Sequence, residues 1–244
     1  MSVTEEAKPI PAKPFPATSV LVLRDGKNGV EVLMIGRNEK LSFAAGMLVF
    51  PGGRIDAEDS ELGKCCAGVD GLDPDEVAAR VAGLREIYEE TGLLVARPQG
   101  RQALLTAAEV NGVVEPLALS LGRAPTFIEI LATDKIELPT DEMVYFTHFI
   151  TPERAPKRFD TRFYVVAAPP DQEASHDGSE AVSSLWTTPQ KAFAAAEAGE
   201  VKMMNPTRLN LTKLKGNATV ADALAFARET ASQVVPVIPD PPKP

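Results

Sequence analysis

Residues 73–93 read Asp73-Pro74-Asp75-Glu76-Val77-Ala78-Ala79-Arg80-Val81-Ala82-Gly83-Leu84-Arg85-Glu86-Ile87-Tyr88-Glu89-Glu90-Thr91-Gly92-Leu93. This stretch predicts a helix over 74–91. Asp73 suits the N-cap, Pro74 the first helical position and Glu76 the third, in a capping-box pattern, and Gly92 suits the left-handed residue past the end. At about 100° per residue, Val77, Val81, Leu84 and Tyr88 gather on one side as the stripe expected to be buried. Glu86, Glu89 and Glu90 gather nearly opposite, three carboxylates at i, i+3 and i+4 projecting from one face. Without a partner that arrangement is costly. Like charges repel, and Glu89 and Glu90 stand in the last turn, where the negative end of the helix dipole penalises each by about 0.3–1 kcal/mol. Arg85 offsets part of this as an i,i+4 partner of Glu89. A Mg²⁺ or Mn²⁺ ion would offset more, since carboxylates suit hard divalent cations. The helix alone leaves a second reading open, a solvated acidic face.

Outward from this helix, residues 19–23 and 30–35 read as two strands, with Asp25-Gly26-Lys27-Asn28-Gly29 turning between them as a hairpin. A short apolar run, 47–50, leads into Pro51-Gly52-Gly53, which must turn sharply. Residues 93–95 look like a short strand. Helices are expected over 101–122, 127–133, 189–198, 206–214 and 220–230, and strands over 143–150, 162–168 and 182–187. Strands and helices mix without strict βαβ alternation, so the fold class is read as α+β in layers rather than as a doubly wound sheet. Prolines crowd both ends, at 9, 11, 14 and 16 and at 236, 239, 241, 242 and 244, where they favour extended, solvated chain. The expected organisation is a loose tail over 1–15, one folded domain over 16–234, and a second loose tail over 235–244.

Composition narrows the chemistry. The 244 residues are 44% hydrophobic and 24% charged, enough for an ordinary core. With 25 basic and 34 acidic residues the net charge is −9, which argues against a binder of nucleic acid or of an anionic membrane. Two histidines, His148 and His176, and two cysteines, Cys65 and Cys66, exclude zinc sites rich in those residues. Neighbouring cysteines are badly placed for a disulfide, so both are read as free, inert thiols in a reducing compartment. The N-terminus lacks the pattern of a secretory signal, and no stretch approaches the roughly 18 uninterrupted apolar residues needed to span a bilayer. A soluble, cytoplasmic protein is expected.

Phe50-Pro51-Gly52-Gly53 and the run from Arg85 to Leu93 carry a resemblance. They are similar to the Nudix hydrolases, whose signature is G-x5-E-x7-R-E-U-x-E-E-x-G-U with U aliphatic. The second half matches at every specified position. The first half matches at Gly53, and Asp59 stands where the family has Glu. Residues 60–84, 25 in number, occupy the place of seven, so the box carries 18 extra residues. An interrupted box resembles the branch that contains the peroxisomal coenzyme A diphosphatases. Leu33-Met34-Ile35-Gly36-Arg37 and the run from Gly46 to Gly53 are similar to that branch's coenzyme A motif, although Ser42 stands where a second Arg belongs. Phe159-Asp160-Thr161-Arg162-Phe163 and Asn205-Pro206-Thr207-Arg208 also look like that branch. The chain ends Pro-Lys-Pro, without a Ser-Lys-Leu-type peroxisomal signal.

The resemblance implies a Nudix-type α/β/α sandwich with a mixed sheet and extra helices. It implies metal-dependent hydrolysis of a diphosphate bond in a nucleoside diphosphate linked to another moiety, with coenzyme A or acyl-coenzyme A as the leading substrate class. A pyrophosphatase of ADP-ribose- or NADH-type dinucleotides and a non-catalytic nucleotide sensor are the alternatives. Mg²⁺ or Mn²⁺ would be held by Glu86, Glu89 and Glu90 and by a backbone carbonyl of Gly52 or Gly53, while Arg85 would hold the carboxylates in place. The general base is variable in the family. Glu180, in the loop before the strand that carries Trp186, is a candidate beside the helix carboxylates. Arg37, Arg158, Arg162 and Arg208 are candidate phosphate contacts, because guanidinium forks match phosphate oxygens. His148 is read as a hydrogen-bonded structural histidine, His176 as an exposed loop residue and Trp186 as core. The resemblance leaves a homodimer open, though nothing in the sequence marks an interface.

Overall fold

In the computed structural model, which describes residues 12–38, 44, 46–133, 135–176 and 181–238, β1 (Phe15–Gly26) shows why the sheet is covered on both sides. Its alternating side chains send Val20 and Val22 to one face and Leu21 and Leu23 to the other, and all four are fully buried. β2 (Gly29–Arg37) returns antiparallel after the two-residue turn Lys27-Asn28. There follow β3 (Leu48–Val49), β4 (Gly52–Arg54), α1 (Ala57–Glu61), a 3₁₀ turn over Leu62–Cys65, β5 (Cys66–Ala67), α2 (Pro74–Thr91), β6 (Arg97–Pro98), α3 (Ala107–Leu121), α4 (Phe127–Leu131), β7 (Ile136–Pro139), β8 (Val144–Ile150), β9 (Phe159–Ala167), β10 (Ala181–Thr187), α5 (Pro189–Glu197), α6 (Asn205–Leu214) and α7 (Val220–Thr230).

The large sheet runs β10-β2-β1-β9-β8, with β3 on β2 and β4 on β1. The β1–β9 pair is parallel and the other pairs are antiparallel, so the sheet is mixed. α2 and α4 pack on the face carrying Val20, Val22 and Leu33, while α5, α6 and α7 pack on the face carrying Leu21, Leu23 and Met34. The α/β/α sandwich with a mixed sheet is therefore present. A second small sheet, β5-β7-β6, lies beside it.

The 18 extra residues are structured. Residues 74–84 form the front of α2, and the preceding part supplies the 3₁₀ turn and β5, which adds parallel to β7 through Cys66↔Leu138 and Ala67↔Pro139. Thr140 Oγ1 donates to the Ala67 carbonyl, and Arg80 Nη1 donates to the Thr140 carbonyl at 2.7 Å. The insertion thus lengthens the helix backwards and anchors its new end.

Several local expectations change. No capping box forms at α2: Asp73 accepts from the Asp75 amide at 2.8 Å, while Glu76 accepts from Arg80 Nε at 2.9 Å and from the Tyr164 hydroxyl at 3.0 Å. Charged and phenolic donors are stronger partners for a carboxylate than one backbone amide. α2 is also buried nearly all round, because α1, β4 and the large sheet pack on different sides of it. Val77 and Tyr88 are only half-buried. Residues 93–95 are buried but are not a strand; the Gln172 amide takes a strand's place. Its Oε1 accepts from Leu94 N at 2.9 Å, and its Nε2 donates to the carbonyls of Leu94 at 3.1 Å and Leu105 at 2.9 Å.

The helix expected over 101–122 starts at Ala107, where Thr106 and Glu109 form a true capping box, and ends before left-handed Gly122. The helix expected over 127–133 stops at Leu131. Trp186 is half-buried at the core's edge rather than inside it, with the Arg24 guanidinium 4.4 Å from its ring centroid. Val237, in the segment expected to be loose, bonds β8: its amide donates to the His148 carbonyl and its carbonyl accepts from Ile150 N, both at 2.9 Å. His148 sits between the Tyr145 hydroxyl, 2.8 Å from Nδ1, and the Asp160 carboxylate at Nε2. Among the described residues no helix is long and apolar enough to cross a membrane.

Two outcomes are expected. Gln172→Ala strips partners from buried backbone groups and lowers the unfolding free energy by about 2 kcal/mol in urea titrations. Cys66 is a free thiol that burial and neighbouring Cys65 push up to about 12, so it stays unmodified by iodoacetamide at about pH 8 while the protein is folded, and reacts once denatured.

Candidate active site

Glycine decides how closely the helix approaches the sheet. A Cβ on Gly83 would lie 2.7 Å from Val20 Cγ2, so α2 rests directly on β1 there. The turn predicted at Pro51-Gly52-Gly53 becomes β4, paired with β1 through Ser19↔Gly52 and Thr18↔Gly53. A Cβ on Gly52 would lie 2.4 Å from the Thr18 carbonyl, and one on Gly53 would lie 2.3 Å from Glu86 Oε1. The absence of those methyl groups lets the last turn of α2 meet β4.

Arg85 organises that meeting point. Its Nε and Nη2 grip Asp59 Oδ1 at 2.9 Å and Oδ2 at 3.0 Å. Nη1 donates to Glu86 Oε1 at 2.8 Å and Glu89 Oε2 at 3.0 Å, and Nη2 donates also to the Arg54 carbonyl at 3.0 Å. These contacts use all five guanidinium N–H donors. Burial alone would favour losing the proton, but Asp59, Glu86 and Glu89 outweigh it and hold the group above its ordinary range. Arg85 therefore stays charged. Asp59 is 1% exposed and also accepts from the Asp56 amide at 2.8 Å.

Glu90 is not on a solvated face. It is 4% exposed, and its Oε2 accepts from the Gly52 amide at 2.9 Å. Arg37 Nη1, from the end of β2, lies 3.6 Å from Glu90 Oε1. The Glu89 side chain is 48% exposed and that of Glu86 14%. The cluster thus offers carboxylate oxygens of graded accessibility beside a glycine backbone, the donor chemistry of a hard divalent cation. Among the described residues no three acidic, histidine or cysteine side chains already converge on one point. Arg85 Nη1 instead joins Glu86 to Glu89.

The structure brings Glu86, Glu89, Glu90, Gly53 and Arg37 together, whereas Arg158, Arg162 and Arg208 take other partners. Arg162 Nη1 donates to the Asp75 carbonyl at 2.9 Å and approaches Glu76 at 3.5 Å, near the first turn of α2. That lies about 20 Å from Glu90 at 1.5 Å rise per residue. Arg208 is on α6 with its guanidinium 5.3 Å from the Phe193 ring centroid. Arg158 is buried and donates to the carbonyls of Thr151 and Ala12. Glu180 lies outside the described residues; Ala181, which follows it, pairs with Arg37. Sequence reading missed the Gly52 amide, and it noted Asp59 only as a departure from the signature. The signal was its place in the box, six positions after Gly53.

Arg85→Ala would leave the Asp59 carboxylate buried without its counter-charge. A loss of about 3–5 kcal/mol is expected in chemical denaturation. Glu89→Gln, at a half-exposed position, should cost no more than about 1 kcal/mol.

Comparison with known proteins agrees with this fold. A family model described as the NUDT19 Nudix domain matches residues 67–214. "Putative nudix hydrolase 7" of Caenorhabditis elegans is 29% identical over 183 residues, 75% of this chain and 55% of that protein. "Acyl-coenzyme A diphosphatase NUDT19" of Gallus gallus is 24% identical over 261 residues, 82% of this chain and 65% of that protein. The chain therefore spans between 55% and 65% of the length of these two relatives. Among solved structures, a NUDIX hydrolase from Alicyclobacillus acidocaldarius superposes with a TM-score of 0.70 at 28% identity, over 87% of this chain and 96% of that one. With its REUxEE run on α2 and its glycine turn against Glu86, the chain belongs to the Nudix hydrolase family, with a Nudix domain of the NUDT19 kind.

Proposed function

We propose that this chain hydrolyses the diphosphate bond of a nucleoside diphosphate linked to another moiety, with coenzyme A or acyl-coenzyme A as the leading substrate class. The observation that carries this reading is the saturated Arg85 cluster, which aims Glu86 and Glu89 while the Gly52 amide braces buried Glu90. The acyl-coenzyme A diphosphatase name of the Gallus gallus relative supports the substrate class.

Glu86, Glu89, Glu90 and the Gly53 carbonyl would hold Mg²⁺ or Mn²⁺. The bound cation supplies charge neutralisation at the diphosphate and acidifies water. Arg85 keeps Glu86 and Glu89 from turning away, so little reorganisation is needed when charge develops. Glu89 is the most exposed of the three carboxylates and is the helix residue placed to take a proton from the attacking water; Glu180 is the further candidate for that role. Arg37 is the arginine beside the carboxylates and is assigned to a phosphate oxygen. Arg162, near the first turn of α2, would meet substrate only at parts remote from the reacting bond, and Arg208 is the further candidate for a phosphate contact. Free Cys65 and Cys66 fit a reducing compartment such as the cytoplasm.

A substrate panel with product masses tests this. With Mg²⁺ or Mn²⁺, coenzyme A should yield 4′-phosphopantetheine and 3′,5′-ADP. AMP from ADP-ribose or NADH would redirect the substrate class, and tight nucleotide binding without any product would favour a sensor. Glu90→Gln should lower turnover by about 10²–10³-fold with the melting temperature preserved. Undiminished turnover in that variant would remove Glu90 from the site.

A further inference from the structure

Glu90 needs a counter-charge at all times, because a carboxylate 4% exposed is expensive to keep ionised alone. Arg85 cannot supply it directly, since its five donors are spent on Asp59, Glu86, Glu89 and the Arg54 carbonyl. The Gly52 amide supplies a dipole but no charge. The guanidinium of Arg37 is 3.6 Å away, an ion-pair distance longer than a tight hydrogen bond, with side chains 16% and 5% exposed. Its backbone is held on both sides: Arg37 N donates to the Met47 carbonyl at 3.0 Å, and the Arg37 carbonyl accepts from Gly46 N at 3.1 Å. The backbone beneath the guanidinium is thus anchored.

We propose that Arg37 is a resting counter-ion of Glu90, exchanged when Glu90 takes a divalent cation and thereby turned toward the anionic substrate. This rests on the metal-dependent reading above. Glu90 Oε1 cannot serve a guanidinium and a doubly charged ion together without like-charge repulsion between them. Arg37 therefore competes with the metal for Glu90 while the site is without nucleotide, and it serves phosphate only after release. The cost of metal binding and the gain in substrate binding are carried by one side chain, which couples the two events.

Isothermal calorimetry of Mn²⁺ binding to the intact chain, without nucleotide, tests the exchange in wild type, Arg37→Gln, Glu90→Gln and the double variant. Arg37→Gln is expected to bind Mn²⁺ on the order of tenfold more tightly than wild type, and the gain should vanish when Glu90 is already Gln. Equal or weaker binding by a folded Arg37→Gln protein overturns the proposal, as does a gain that survives without the Glu90 carboxylate. Failure of the wild type to bind Mn²⁺ overturns the metal reading itself, and this exchange with it. If Arg37→Gln does not fold, the wild type decides by NMR. The Arg37 Nε–Hε resonance should move when Mg²⁺ is added, and an unmoved resonance during saturable binding overturns the proposal.

Discussion

The guanidinium of Arg85, with every donor engaged, is the constraint on which the rest of the site depends. It joins Asp59 of α1, the Arg54 carbonyl of β4 and two carboxylates of α2 at one buried point. A buried charge is tolerated only where its partners saturate it. Here that requirement runs three ways, since displacing any of the three elements leaves a buried donor or acceptor unpaired. A lysine could supply the charge but not the planar fork that grips both oxygens of Asp59.

Close approach is the second constraint. Gly83 against Val20, Gly52 against the Thr18 carbonyl and Gly53 against Glu86 are contacts that a methyl group would break. They bring helix, sheet and turn to distances at which the Gly52 amide reaches Glu90. The long interruption of the box leaves this end of α2 untouched. It extends the helix in the other direction, where Glu76, Arg80 and Tyr164 fasten the new end to the large sheet and Thr140 fastens it to the small one. A family signature can absorb 18 extra residues because they lie before the carboxylates, in the 3₁₀ turn, β5, a loop and the front of α2, and do not separate them.

The graded exposure of the three carboxylates follows from the same packing. Glu90 faces β4 and the end of β2, Glu86 lies against the Gly53 backbone, and Glu89 opens to solvent. In a chain with net charge −9, a metal ion bound among these carboxylates would reverse the local field for a polyanion, as the proposed function requires.

Much of this was legible in the residues. The hairpin, the helix over 74–91 with its proline start and glycine stop, and the three carboxylates at its end rest on local rules of turn chemistry, capping and periodicity. Those rules hold because the interacting groups lie within a few positions of one another. The Nudix box was readable through its interruption for the same reason, since its second half is contiguous. Residues 93–95 misled because apolar, buried chain looks like a strand, and only Gln172, far along the sequence, showed what satisfies its backbone. The arginines misled likewise, since Arg37, Arg158, Arg162 and Arg208 are equivalent as letters. By itself, then, the sequence determined the layered α+β class, the helix and the identity of its acidic groups. Only the tertiary structure decided that Glu90 is buried, that Asp59 saturates Arg85 and that Arg37 alone among those arginines pairs with the cluster. Those outcomes depend on which distant segments meet across the sheet, and spacing along the chain does not encode that meeting.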